Sequence, residues 1–475
     1  MSTRRPHPSV APLLVLCLLA ASPAFATPYW TPEEIAARAT NGVPAGLLPP
    51  PVAGGPRGTL DPLERLGWEV AFLATQQVSD TLDAEYGGMR EGEHLPNIVQ
   101  TDNTSESIWV WSLYRRLTGD TQYDGNVQAA WVYEMTHPAY AEEGGSDPFG
   151  GYYRMYNCGW AMAAALEYRE TTGDTTFQAY GDSCAEYVGD NNLNYVGGAP
   201  AQNPPVLAWA AGNLYRYGVA RGGQWLTKAA NRGNRVKGWV EADPALMAGQ
   251  GWAMSGGATL WGIVNSYFEA NPAGEAAWVG QYAPLMAAWA PPASWSSAHD
   301  LWYALGWRTA GEVLGDSVMV AHHQTITDSM AATDGDADGG IPAQPPDGDD
   351  EDQSWVSNYL VHMGLDPLIT DLLTGVPQGP GAARSALLAQ NSPNPLNPTT
   401  TIRFTLPQAA RTELAVFDLS GRLVRVLLRG ARGAGAHEVA WDGRDASGQP
   451  VGSGVYLYRL EAGRTVETRK LVVLR

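Results

Sequence analysis

A helix–turn–helix pattern that recurs along most of the chain is the strongest constraint on its fold. In its clearest copy, residues 105–135, Ile108, Trp109 and Leu113 give the first helix a broad apolar face. Gly119 follows that helix and suits the left-handed position that ends many helices. A spacing of roughly 50 residues is typical of helical repeat architectures. Four further copies occupy residues 160–188, 207–240, 252–289 and 301–330.

One helix without a partner lies at each end of this array, at residues 61–82 and 354–363. Closing the chain on itself pairs those two helices and completes six hairpins. The pattern therefore predicts an (α/α)6 toroid over residues 59–374, with six inner helices inside an outer ring. The alternative is an open superhelix of stacked helix pairs, and the two unpartnered helices favour the closed form.

The hydrophobic period changes to two after a Pro-, Gly- and Ala-rich linker at residues 375–390. Alternating patterns bounded by turn residues predict six short strands and hence a small β-sandwich. The full prediction is an all-α (α/α)6 toroid followed by a small all-β immunoglobulin-like sandwich at residues 391–475. The predicted strands are 401–406, 413–419, 422–428, 438–441, 455–460 and 465–474.

The C-terminal segment carries several short motifs in a specific order. They are QNSPNPLNP at 390–398, FDLSGRLV at 417–424, WDG at 441–443, GSGVY at 452–456 and RKLVVL at 469–474. Together they resemble the FlgD-type immunoglobulin-like module that serves as the C-terminal sorting domain of type IX secretion cargo, although Leu396 stands where Phe is more usual. The resemblance implies recognition by that secretion machinery. The alternative is an ordinary structural sandwich, because the module also occurs outside that pathway.

The N-terminus has the pattern of a secretory signal peptide over residues 1–26. Arg4 and Arg5 precede an apolar run at 10–21, and Ala24-Phe25-Ala26 forms a cleavage site. The run is too short to span a bilayer, so we expect no transmembrane segment after cleavage. Residues 27–58 are interpreted as a loose N-terminal segment. The predicted location is extracellular or on the outer cell surface.

The charge of −19 is distributed unevenly. Residues 391–475 contain 12 basic and 7 acidic residues, which leaves −24 on the rest of the chain. Such an acidic body repels nucleic acid and other polyanions, so no nucleic-acid partner is expected. After signal cleavage two cysteines remain, Cys158 and Cys184. They are interpreted equally well as one disulfide or as two buried free thiols.

The helical part resembles, in architecture only, the six-hairpin toroids of many glycoside hydrolases, polysaccharide lyases and sugar epimerases. In such a fold the loops that enter the inner helices line a cleft. The candidate catalytic residues on these loops are Asp102, Asp147 and Asp300. Carboxyl groups in different surroundings can supply one acid and one base near neutral pH. Helix capping is an equal alternative for each of them, and Glu106 is likewise interpreted either as part of an Asn103–Glu106 capping pattern or as catalytic.

Aromatic and polar side chains near the same helix starts are candidates for sugar stacking and hydrogen bonding. The candidate substrate-binding residues are Tyr152, Tyr153, Arg154, Trp252, Trp295 and His299. The resemblance thus implies a secreted, surface-associated protein that binds and cleaves a carbohydrate, and the acidic body favours a neutral glycan over a polyuronate. A lyase that uses Tyr153 as base, with Arg154 or His299, is one alternative. The other alternative is a surface protein that binds glycan or protein, or has a structural role, without catalysing a reaction.

We predict a structural calcium site in the loop after residue 332. Asp334, Asp336 and Asp338 alternate as in the first half of an EF-hand loop, with Gly339 for the turn. Pro345 stands where a bidentate Glu would be, so Asp347 or Asp349 would have to replace it. Titration calorimetry with calcium should give a heat of binding, and calcium should raise the melting temperature. Absence of both effects would leave a solvated acidic loop as the correct interpretation.

Overall fold

The computed structural model describes residues 62–473, except for 94, 142–150, 250–253, 290–296, 336–337, 344–350, 375–386, 389–390, 392–395, 397–398, 407–409, 419–421, 434 and 463–464. The predicted signal peptide and the loose segment that follows it lie outside the described residues. So does most of the predicted linker.

Twelve helices form the hairpins of the described chain, in the predicted order. They are α1 Pro62–Gln76, α2 Thr101–Thr118, α3 Asp124–Thr136, α4 Tyr152–Thr172, α5 Gln178–Asp190, α6 Asn203–Arg221, α7 Leu226–Ala242, α8 Ser255–Ile263, α9 Glu275–Tyr282, α10 Asp300–Leu314, α11 Ser317–Ala331 and α12 Ser354–Tyr359. After α8 the helix continues as a π-helical turn, Val264–Phe268. After α12 it continues through the π-helical Leu360–Leu365 into α13, Asp366–Thr374. A short ladder, β1 Met89–Arg90 with β2 Val99–Gln100, lies before α2.

The even-numbered helices from α2 to α12 form a closed inner ring. Each packs against the next, although α10 reaches α12 mainly through the π-helical continuation of α12, and α12 packs against α2 and α1. At the closing contact Asn358 of α12 donates a hydrogen bond to Ser107 Oγ of α2 at 3.1 Å. The predicted closed toroid is therefore confirmed, and the open superhelix is excluded. The inner helices begin together at one end of the ring, which we call the mouth, and they end at the opposite end, the far end.

The turns at the far end confirm the interpretation of Gly119 as a left-handed helix end. Gly119, Gly173 and Gly315 end inner helices with left-handed φ values of 75°, 74° and 68°. Asp316 then caps α11 by accepting from the backbone N–H groups of Val318 and Met319. These local interactions satisfy backbone groups that the helix ends would otherwise leave unpaired.

The capping interpretation of Glu106 is wrong. Helix α2 begins at Thr101, so its N-cap is Gln100, which makes no side-chain capping bond. Glu106 therefore lies in the second turn of the helix, too far along it to reach back to the N-terminus. The same shift places Asp102 inside the first turn of α2 instead of in the preceding loop.

Glycines allow the inner helices to approach at backbone distance. A Cβ atom added to Gly262 of α8 would lie 2.1 Å from the carbonyl oxygen of Ala208 in α6. A Cβ atom on Gly257 would lie 1.9 Å from the carbonyl oxygen of Trp302 in α10. Large indole rings fill the space that remains, and Trp209 packs against Trp261 and Trp302 with centroids about 5 Å apart. This packing fixes the radius of the ring.

The C-terminal strands form two antiparallel sheets with a common core. The strands are β3 Leu387–Leu388, β4 Thr400–Leu406, β5 Ala410–Asp418, β6 Leu423–Arg432, β7 Gly435–Trp441, β8 Gly454–Ala462 and β9 Thr465–Val473. One sheet has the order β3-β4-β7 and the other β6-β5-β8-β9. The core between them includes Phe404, Trp441 and Tyr458, all fully buried. This confirms the predicted sandwich.

The close packing of α8 leads to a paired prediction. Gly262→Ala should lower the free energy of unfolding by roughly 1–3 kcal/mol, because the new methyl group meets the α6 backbone. Gly238→Ala on the outer helix α7 has open space around it and should stabilise by about 0.5–1 kcal/mol through helix propensity. Denaturant unfolding of both variants measures the difference. Equal changes in the two variants would contradict the close contact between Gly262 and the α6 backbone.

Candidate functional site

The mouth carries two buried carboxyl groups on a single helix face. Asp102 and Glu106 lie one turn apart on α2, and both side chains are almost fully buried. Residues four apart in a helix point in the same direction, so the two carboxyl groups are neighbours. Burial raises the pKa of Asp102 to about 7, and the charge of Glu91 adds to this effect. Burial and then the charge of Asp102 raise the pKa of Glu106 well above its ordinary value.

Glu106 faces polar groups from two other inner helices. The Tyr156 hydroxyl of α4 and the Asn358 amide of α12 are close enough to lower its pKa in part. Neither carboxyl oxygen has a partner within standard hydrogen-bond geometry among the described residues. The Tyr156 and Tyr359 hydroxyl oxygens meet at 2.5 Å beside it. Glu106 is thus a buried acid surrounded by polar donors at the seam where the ring closes.

Carboxyl groups at the far end have a different environment. Glu167 of α4 accepts from Arg116 of α2 at 2.5 Å, and Asp371 accepts from Arg308 at 2.7 Å. In the part of the chain that the structure describes, the charges that act on Asp102 and Glu106 are those of other carboxyl groups, and no arginine or lysine offsets them. Uncompensated buried carboxyl groups with raised pKa values are a common property of functional sites.

Asp300 has a separate environment at the start of α10. Its carboxylate accepts a hydrogen bond from Trp289 Nε1 at 2.6 Å, and the Trp289 ring stacks on Tyr303 with centroids 4.7 Å apart. Burial raises the pKa of Asp300 to about 7. The neighbouring charge that raises the pKa of Asp102 belongs to Glu91 and not to Asp300. The structure therefore brings Asp102 together with Glu106, whereas Asp147 lies outside the described residues.

The predicted sugar-binding residues are distributed around the mouth. Tyr152 is buried and contacts Tyr153 edge-to-face at 5.1 Å, while Tyr153 and Arg154 are half-buried. His299 is buried 6.0 Å from the half-buried Trp355, whose ring contacts Tyr359 at 5.3 Å. Trp252 and Trp295 lie outside the described residues. Partly exposed aromatic faces near buried carboxyl groups are well suited to a sugar ring.

Sequence reasoning missed the roles of Tyr156, Asn358 and Tyr359, and it left Glu106 undecided. One signal was available. The i,i+4 pairs Asp102–Glu106 and Tyr152–Tyr156 show that these side chains share helix faces once the helix starts are known. The position of Asn358 and Tyr359 opposite Glu106 depends on ring closure and has no local signal.

The acidic loop after α11 is only partly described. Asp334 accepts from Arg65 of α1 at 2.5 Å and also from the backbone N–H of Gly339. Asp338 accepts from the N–H of Gly340 at 2.6 Å, and Asp336 lies outside the described residues. Across the described part of the chain, no group of three or more His, Cys, Asp or Glu side chains converges in a way that could hold a metal ion. The calcium site stays a prediction, and the Arg65 pair would compete with it.

Cys158 of α4 and Cys184 of α5 are both buried and free in the structure. Burial raises the pKa of Cys184 well above its ordinary value, and a hydrogen bond with Cys158 adds to the increase. This corresponds to the free-thiol alternative, with the two sulfur atoms adjacent across one hairpin.

A comparison with protein families identifies the C-terminal module. The FlgD Ig-like domain family matches residues 395–465. This segment is a FlgD Ig-like domain. No curated protein sequence matches the chain.

Several solved structures resemble parts of the chain. PorZ, a type IX secretion surface component of Porphyromonas gingivalis, is 25% identical over 21% of this chain and 13% of its own, with a TM-score of 0.15. The GH76A α-1,6-mannanase of Salegentibacter sp. HEL1_6 is 14% identical over 65% of this chain and all of its own, with a TM-score of 0.45. A GH127 β-arabinofuranosidase is 13% identical over 86% of this chain and 79% of its own, with a TM-score of 0.38. The chain thus spans a small part of PorZ.

Among the described residues, no helix combines the length and the apolar character that crossing a bilayer requires.

The raised pKa of Asp102 predicts a pH-dependent stability. A carboxyl group whose pKa rises on folding contributes stability below its unfolded pKa, and that contribution is lost as pH rises through about 7. At about 1.4 kcal/mol per pKa unit the loss is at most about 4 kcal/mol. Asp102→Asn should therefore reduce the difference in melting temperature between roughly pH 5 and pH 8. Asp120→Asn, at an exposed far-end turn, should leave it unchanged. An unchanged difference in Asp102→Asn would contradict the assignment.

Proposed function

We propose that the helical domain binds a neutral carbohydrate at the mouth and hydrolyses it with Asp102 and Glu106. The observation that carries the proposal is the pair of buried carboxyl groups one turn apart, with no cation to offset them among the described residues. Most glycoside hydrolases use two carboxyl groups, one that donates a proton to the leaving oxygen and one that is ionised. The two carboxyl groups have different surroundings, which fits this division.

The environments suggest a role for each carboxyl group. Burial and the charge of Asp102 both raise the pKa of Glu106 and favour its protonated form, so we assign it as the general acid. Asp102 titrates near pH 7 and is partly ionised there, so it serves as base or nucleophile. Asp147, which precedes α4, is a second candidate for the ionised partner. Asp300, held by Trp289, remains in reserve.

The surroundings of the two acids favour an uncharged ligand. A polyuronate would bring carboxylates towards Glu91, Asp102 and Glu106 and towards an acidic protein body. In the proposed complex Tyr153 and Trp355 supply half-buried aromatic faces for stacking. Further sugar contacts are proposed for Tyr152, Arg154, Trp252, Trp295 and His299.

The C-terminal module supports a proposal about location. A FlgD Ig-like domain at residues 395–465, together with the signal-peptide pattern, fits a protein exported through a type IX-like machinery to the outer cell surface or the medium. Secretion machinery would then be the partner of the sandwich, and the glycan the partner of the toroid. A structural calcium ion at the Asp334 loop remains part of this proposal.

The test is a screen of the purified protein against neutral polysaccharides such as mannan, arabinan, xylan and glucan, and against pectate and alginate as acidic ones. We expect cleavage of a neutral polymer. Asp102→Asn and Glu106→Gln should each lower kcat by about a hundredfold or more, since general acid–base catalysis contributes about that much. Asp120→Asn in a far-end turn is the matched control and should retain full activity.

Four results would change or overturn the proposal. Activity that survives both substitutions would exclude this pair and move attention to Asp147 and Asp300. Glycan binding without any cleavage would establish the non-catalytic binding protein. Cleavage of an acidic polymer to unsaturated products, abolished by Tyr153→Phe, would establish the lyase alternative. If no polysaccharide is bound, the carbohydrate proposal fails.

A further inference from the structure

A buried arginine ties the first helix, α1, to the loop that follows α11. Arg65 of α1 donates from Nη1 to the Asp334 carboxylate at 2.5 Å and from Nε to Glu69 at 2.6 Å. Its Nη2 reaches the carbonyl oxygen of Gly339 at 3.4 Å, and the N–H of Gly339 donates back to Asp334 at 3.3 Å. The three charged side chains are at most 2% exposed. We call this set of contacts the Arg65 clamp.

Two glycines next to the clamp show how closely the loop is packed. Gly339 has a left-handed φ of 103°, and a Cβ atom there would lie 2.3 Å from the carbonyl oxygen of Trp68 in α1. A Cβ atom on Gly340 would lie 2.2 Å from the Asp352 carboxylate. The loop thus passes between α1 and the segment before α12 with no room for a side chain. Because such close packing transmits small displacements, the position of α1 determines that of the neighbouring segment.

Beyond the glycines, the loop pairs with two other segments at the mouth. The N–H of Gln353 donates to the carbonyl oxygen of Ile341 at 3.0 Å. The N–H of Ser354 donates to the carbonyl oxygen of Glu91, also at 3.0 Å. Antiparallel β-bridges extend both pairings. We call these hydrogen-bonded segments the rim, and they are residues 90–93, 341–343 and 352–354.

The rim joins the starts of three inner helices. Ser354 is the first residue of α12. The rim also continues β1, whose partner β2 leads directly into α2. The N–H of Ala298, two residues before α10, donates to the carbonyl oxygen of Ala343 at 3.3 Å. Each of these helix starts carries a residue of the proposed site, namely Asp102 on α2, His299 before α10 and Trp355 on α12.

We propose that Arg65 is a positioning residue for the mouth, because through Asp334 and the rim it sets how the starts of α2, α10 and α12 lie relative to one another. The inference rests on the proposed function only where that function assigns sugar contacts to His299 and Trp355. An arginine suits this role because its rigid fork bonds two carboxylates and a carbonyl group at once, which a lysine does not match.

The first measurement needs no ligand. Native-state hydrogen exchange of the full-length protein, followed by mass spectrometry of peptides that contain Gln353 and Ser354, reports local opening of the rim. Asp334→Asn keeps the shape of the side chain but removes its charge. It should speed this exchange by about tenfold, because a hydrogen bond between charged groups is stronger than one to a neutral group. Arg65→Lys keeps the charge but loses the fork, so we expect a smaller effect in the same direction.

Arg116→Lys is the matched control. Arg116 pairs with the buried Glu167 at 2.5 Å at the far end, so this substitution also takes an arginine fork from a carboxylate. It should leave exchange of the rim unchanged relative to peptides from α6, which report loosening of the whole fold. If Asp334→Asn does not fold, Arg65→Lys decides. Unchanged rim exchange in the folded clamp variants overturns the proposal, as does an equal increase in Arg116→Lys.

A kinetic measurement connects the clamp with catalysis. The substrate is the neutral polysaccharide that the wild-type protein cleaves among mannan, arabinan, xylan and glucan. Asp334→Asn and Arg65→Lys should raise KM by about three- to tenfold, which corresponds to one aromatic contact. They should change kcat much less, because the loss falls on sugar contacts and not on the acid. A purely structural role would lower the stability of both variants and leave KM unchanged.

The two measurements separate this inference from the proposed function. Faster rim exchange in a protein that neither binds nor cleaves glycans would retain the positioning of the mouth by Arg65 and reject the carbohydrate assignment. Cleavage with the same KM in the wild-type protein and in both clamp variants would retain the proposed function and reject the role of Arg65.

Discussion

Closure of the helical ring depends on the contact between α2 and α12, whose bonded residues Ser107 and Asn358 are 251 positions apart in sequence. The Asn358 amide reaches α2 and also faces Glu106. The next residue, Tyr359, meets Tyr156 of α4. The same short segment therefore joins the ends of the toroid and lies against the buried carboxyl group of Glu106. A substitution that weakens the contact between α2 and α12 should therefore lower the stability of the ring and also alter the surroundings of Glu106.

The two ends of the toroid treat buried charge differently. At the far end arginines pair with carboxylates across neighbouring helices, as Arg116 does with Glu167. At the mouth Asp102 and Glu106 are buried beside each other, which costs stability whenever they are ionised. A core of large indole rings and backbone-close glycines can offset that cost. A stable surrounding fold combined with a locally destabilising site is common where catalysis requires shifted pKa values.

Much of the fold could be predicted from sequence because its determinants are local. The apolar faces, the Gly-Asp turns and the change to a two-residue period each act over a few residues, and the predicted toroid and strands follow from them. The start of α2 was misplaced because Gln100 offers no capping side chain. The pairing of Asp334 with Arg65, 269 positions away, and the meeting of Tyr156 with Tyr359 depend on the closed ring. No short motif contains that information.

The contact between α2 and α12 also determines at what stage of chain synthesis the site can form. Glu106 lies on the first inner helix and Tyr359 on the last, so a growing polypeptide possesses most of the toroid before it possesses the groups that complete the mouth. Until residue 359 has been synthesised, Glu106 lacks the two groups of α12 that lie beside it, Asn358 and Tyr359. The mouth can therefore be completed only after α12 has been made, although the C-terminal sandwich is still to follow.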